Sequence, residues 1–89
     1  MNKMCENLSK VLNYIRGCAK GQAYDDVLAQ RNNSTCKTDY KTLAKGAIAA
    51  LVHMGILTDD DSIMVLSEFE RVREIERKRY GEWCEKYAR

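Results

Sequence analysis

Apolar residues recur along this chain at helical spacing almost from its start. Met4, Leu8, Val11, Leu12, Ile15, Cys18 and Ala19 follow the i, i+4, i+7, i+8 pattern of one buried helical face. Gly17 falls inside that run, where glycine costs about 1 kcal/mol against alanine and leaves room for a close neighbour. Gly21 is the expected stop of this first helix. Tyr24, Val27 and Leu28 then predict a short second helix over Gln22–Gln30, opened by Asp25 and Asp26. Arg31-Asn32-Asn33-Ser34-Thr35 reads as a loop, because Asn and Ser side chains bond their own backbone in competition with the helix.

The next helix is expected from Asp39 to Met54, with Thr38 as its cap. Tyr40, Leu43, Ala44, Ala47, Leu51 and Met54 form one face, which Ile48 and Val52 widen. A face that wide touches more than one neighbour, so this segment is the expected central helix. Gly46 and the alanines beside it would admit another helix closely. Gly55 ends the segment in the position where glycine relieves left-handed backbone strain.

From Thr58 to Arg89 the pattern is one helix, opened by Thr58 and the carboxylates of Asp59, Asp60 and Asp61. Val65, Phe69, Val72 and Ile75 continue into Tyr80, Trp83 and Tyr87, with Glu76 and Arg79 interrupting the stripe. Glu74–Lys78, Glu82–Lys86 and Glu85–Arg89 are i, i+4 pairs in the favourable order. A helix of about 30 residues is about 45 Å long. A globule of this size is only about 30 Å across. Either the helix breaks, with Gly81 the expected place, or its aromatic end overhangs the core.

Composition supports the helical reading. The chain has 89 residues and no proline, and it is rich in Ala, Leu, Glu, Lys and Arg. The expected fold is therefore all-α: a compact bundle of three to four helices in a single domain, residues 1–89, with a long C-terminal helix. At this length a monomer is only marginally stable, and association would offset that. No apolar run reaches the roughly 18 residues needed to span a bilayer. Met1–Lys10 is too polar for a signal peptide, so a cytoplasmic setting is expected.

That setting bears on the cysteines. Cys5, Cys18, Cys36 and Cys84 are expected as free thiols, because cytosolic thiols stay reduced. No two of them fall at zinc-ligand spacing, and His53 is the only histidine. Asp59–Asp61 are consecutive and lead straight into a helix, whereas a calcium loop alternates its ligands around a central glycine. His53 lacks a nominated nucleophile or orienting partner. Cys18 falls on the apolar stripe, and Cys84, beside Trp83 and charged residues, is the one thiol worth testing for reactivity. No enzyme activity, metal or cofactor is expected.

Two binding functions remain. Tyr80, Trp83 and Tyr87, with Arg79 and Glu76 among them, would form a partner-binding stripe for another protein or for a second copy of the chain. The competing reading places the same aromatics in the monomer core behind a kink at Gly81. The alternative function is DNA binding by a helix-turn-helix-like element, with Lys37, Lys41, Thr42 and Lys45 facing the nucleic acid. Residues 1–57 carry eight Lys/Arg against four Asp/Glu, whereas residues 58–89 carry seven against nine. The connection from Arg31 to Thr38 is longer than the usual three or four residues, however, and the acidic cap after Leu57 would repel a phosphate backbone.

The run from Lys45 through Gly46, Ala47-Ile48-Ala49-Ala50, Leu51-Val52-His53-Met54 and Gly55-Ile56-Leu57 to Thr58, followed by acids and a charged helix, resembles small bacteriophage or mobile-element accessory proteins. That class includes anti-CRISPR-type inhibitors. The resemblance covers about a third of the chain and implies a compact, non-enzymatic inhibitor or adaptor acting on a host protein. It carries over no functional residue.

Overall fold

The structure, a computed structural model, describes residues 3–34 and 39–87, with side chains from residue 6 onward, and the described residues form three α-helices. Helix α1 is Lys3–Arg31, α2 is Tyr40–His53 and α3 is Asp59–Tyr87. The side chains of Met4 and Cys5, and residues Cys36, Lys37, Thr38 and Arg89, lie outside what is described. The principal extents are 48 × 25 × 15 Å. The longest matches a helix of 29 residues, about 43 Å at 1.5 Å per residue.

The helix ends follow from local chemistry. Helix α1 closes on Asn33 at φ 52°, with the Ser34 N–H donating to the Ala29 carbonyl at 2.8 Å. Helix α2 closes on Gly55 at φ 73°, and there the Ile56 N–H donates to Leu51 at 2.9 Å. Both are left-handed caps of Schellman type, one built with asparagine and one with glycine. Asp39 caps the start of α2, accepting from the Thr42 N–H at 3.1 Å and from its hydroxyl at 2.6 Å. These bonds hold the Asp39 carboxyl below its ordinary pKa. Helix α3 starts in a reciprocal box: Thr58 Oγ1 accepts from the Asp61 N–H at 3.1 Å, and Asp61 Oδ2 accepts from the Thr58 N–H at 3.2 Å.

The long helices α1 and α3 lie side by side and run parallel. Arg16 reaches Glu68, Asp26 reaches Arg73, and Tyr24 meets Tyr80, so both sequences climb together. Helix α2 is the return stroke. It starts beside Gln22 and runs back toward the beginning of α3, giving an up-down-up bundle. With 14 residues against 29, α2 is about half the length of the helices it joins, so it leaves their C-terminal ends uncovered. The core fills the three-helix end: Ile15, Ala19, Ala44, Val65 and Phe69 are fully buried, with Leu8, Val11, Leu12, Leu51, Val52 and Leu66 packed around them.

Three sequence expectations are corrected, and the choice between a break at Gly81 and an overhang is resolved. Gly21 does not stop the first helix. It lies within α1, where a Cβ would come within 2.9 Å of the Tyr40 ring, so the glycine serves close packing. Asp25 and Asp26 are consequently mid-helix, and Asp26 is an ion-pair partner. Helix α2 is peripheral, with Leu43 and Met54 exposed and nothing within 4 Å of a Cβ placed on Gly46. Gly81 does not break α3, which is continuous to Tyr87. The helix overhangs the core, and α1 accompanies it.

Candidate functional site

Where α2 begins, a chain of polar contacts ties the three helices together. Gln22, buried in α1, accepts from the Tyr40 N–H at 3.0 Å and thereby satisfies the first backbone donor of α2. Its amide donates to Asp26 Oδ1 at 3.2 Å, and Asp26 Oδ2 accepts from Arg73 Nε at 2.8 Å. Glu70 on α3 then pairs with Lys41 on α2 at 2.8 Å. On the other side of the α1–α3 pair, Glu68 accepts from Arg16 at 3.1 Å and from Arg71 at 2.9 Å. These two guanidinium groups lower the Glu68 pKa from 4.5 to about 2.

Beyond this junction α1 and α3 continue as a two-helix arm. Ala23, Val27 and Cys84 are buried along it. The Tyr24 and Tyr80 rings meet edge to face at 5.2 Å and 76°. Such a pair contributes roughly 0.5–1.5 kcal/mol beyond its buried area. The arm thus has its own small seam.

The rest of the aromatic stripe faces outward. Trp83 is 56% exposed and Tyr87 65% exposed, with ring centroids 5.7 Å apart. The Lys86 ammonium lies 5.5 Å from the Tyr87 centroid. Arg79 pairs with Glu76 at 3.1 Å. An open groove of about 540 Å³ brings together Glu76, Arg79, Tyr80, Trp83 and Tyr87, the five residues singled out in the sequence. It adds Tyr24, which sequence reasoning assigned to a separate short helix. Tyr24 is reached only once α1 is continuous and its register against α3 is set.

The residues nominated for DNA are placed differently. Lys41 is paired with Glu70, and Thr42 completes the Asp39 cap. Lys45 is exposed on α2. Cys84, singled out for a partly open thiol, is only 4% exposed, because it falls on the narrow stripe of α3 that faces α1. Cys18 is buried in the three-helix core as its place on the apolar stripe requires. His53 is exposed in the last turn of α2. Among the described residues no helix is long and apolar enough to cross a membrane.

Compared with known protein families, curated proteins and solved structures, the chain finds no match.

Proposed function

We propose that this chain is a non-enzymatic protein-binding module of the cytoplasm whose contact surface is the aromatic face of the arm. The observation that carries the reading is the contrast between Cys84 and its neighbours. Cys84, with Ala23 and Val27, is buried along the arm, while Trp83 and Tyr87 remain more than half exposed. Exposed clustered aromatics in a small domain mark an interaction surface. Tryptophan and tyrosine also give the largest binding energies at protein interfaces. The resemblance in residues 45–58 extends the reading to an inhibitor or adaptor of phage or mobile-element type acting on a host protein.

The test uses the whole chain as bait, wild type against Trp83→Ala. Retention of a protein by the wild type, and its loss from a variant of unchanged helical content, supports the reading. Equal retention by both removes the arm from the binding surface. DNA binding by Lys37, Lys41, Thr42 and Lys45 is the alternative, and it predicts duplex affinity that falls steeply with salt.

A further inference from the structure

The protein carries more surface than its mass requires. It exposes 6429 Å², whereas a compact monomer of 10.2 kDa exposes about 5300 Å². The excess, about 1100 Å², exceeds the roughly 800 Å² that each partner hides in a standard protein interface. The radius of gyration, 14.9 Å, likewise exceeds the roughly 12 Å of a compact domain of this length. The arm of α1 and α3 extends past α2, and one of its faces is chemically organised.

At 100° per residue, Ile75, Glu76, Arg79, Trp83, Lys86 and Tyr87 fall within an arc of about 120° on α3. They are also placed symmetrically about position 81. Arg79 and Trp83 lie two residues either side, Glu76 and Lys86 five, and Ile75 and Tyr87 six. Ile75 is exposed like the two aromatics. Each pair is complementary: a cation with an aromatic face, an acid with a base, an apolar side chain with a ring. A helix face whose halves complement each other fits its own copy turned end for end.

Resting on the protein-binding reading, we infer that the partner at this face is a second copy of the chain, its α3 packed antiparallel about a two-fold axis level with Gly81. The interface is isologous, so every contact occurs twice. Glu76, held by Arg79 in its own chain, gains Lys86 of the second copy. Arg79 stacks on Trp83 of the second copy, a cation–π contact. Ile75 and Tyr87, at the two edges of the arc, flank these contacts. A parallel arrangement would instead set Glu76, Arg79 and Lys86 each against its own like charge, which costs several kcal/mol.

Sedimentation equilibrium on the full chain tests this with charge reversals. Wild type is expected to show a concentration-dependent rise to twice the monomer mass. Glu76→Lys alone places lysines opposite each other in both symmetric contacts, and Lys86→Glu alone places glutamates there. Each single variant should dimerise at least about tenfold more weakly than wild type. An equimolar mixture of the two restores both acid–base contacts and should form a heterodimer at wild-type strength. Circular dichroism checks each variant's fold. If Glu76→Lys loses helical signal, Lys86→Glu and Trp83→Ala carry the test, and both should be monomeric at concentrations where wild type is dimeric.

A dimer indifferent to Trp83→Ala and Lys86→Glu overturns the interface, and singles that fail to rescue each other overturn the antiparallel register. A wild type that stays monomeric while Trp83 still captures a different protein ends this inference and leaves the protein-binding reading standing. Monomer with no Trp83-dependent capture ends both.

Discussion

Gly21 and Tyr40 are in contact without room for a methyl group: a Cβ on Gly21 would stand 2.9 Å from Tyr40 Cζ and 3.1 Å from Cε1. The ring of the first residue of α2 therefore lies against the α1 backbone. This packing lets Gln22, one residue further on, accept from the Tyr40 N–H. The glycine sets how closely α2 approaches α1 at the point where the bundle gives way to the arm.

Gly21→Ala should consequently fail to show the gain that alanine normally brings to a helix. Overpacking costs about 1–3 kcal/mol, against a propensity gain of about 1 kcal/mol. The expected result is a melting temperature unchanged or lowered by several degrees. Gly17→Ala is the control, since nothing lies within 4 Å of its Cβ, and it should raise the melting temperature by a few degrees. Equal gains from both substitutions would contradict the Tyr40 contact.

Gln22→Ala removes the acceptor for the Tyr40 N–H and the donor to Asp26. A buried donor left without a partner costs about 1–3 kcal/mol. Urea unfolding should show a loss of that size. A change of only a few tenths would mean that the start of α2 is satisfied in another way.

These contacts mark how far the sequence was legible. The stripe from Leu8 to Ala19 and the stripe Val65–Phe69–Val72 could be read directly, because burying one helical face imposes its period on the chain. Gly55 and the Thr58–Asp61 box were legible for a similar reason, since a helix end satisfies its backbone with residues close in sequence. Gly21 was misread because a glycine that ends a helix and one that admits a neighbouring ring look alike locally. Cys84 looked open among Trp83, Glu85 and Lys86, yet a two-helix seam buries only one narrow stripe. Tyr80, Trp83 and Tyr87 were legible as a cluster. Their division between a contact with Tyr24 and an outward face depends on the register of α1 against α3, which no local pattern encodes.

Acid should weaken the fold partly through Glu68. Arg71 and Arg16 hold its folded-state pKa at about 2, below its ordinary 4.5. A depressed carboxylate stabilises the fold fully above the unfolded value and loses that contribution as pH falls through the folded one. Wild type should therefore melt higher than Glu68→Gln at neutral pH, and the gap should close between about pH 4.5 and 2. A gap that persists at pH 2 would assign the difference to packing.

Phe69 is fully buried at the centre of the three-helix end. Phe69→Ala should cost about 3–5 kcal/mol, measured by urea unfolding followed by circular dichroism. A cost near 1 kcal/mol would place the core elsewhere.

Trp83 differs from Phe69 in being 56% exposed. The most direct measurement is the unfolding free energy of Trp83→Ala relative to wild type, taken by circular dichroism at protein concentrations low enough that both sediment as monomers. An outward-facing Trp83 predicts a loss of about 1 kcal/mol or less, the range of surface substitutions. A loss of about 3–5 kcal/mol, the range for a buried tryptophan, would return the aromatic stripe to the core of the monomer and leave the arm without a binding face.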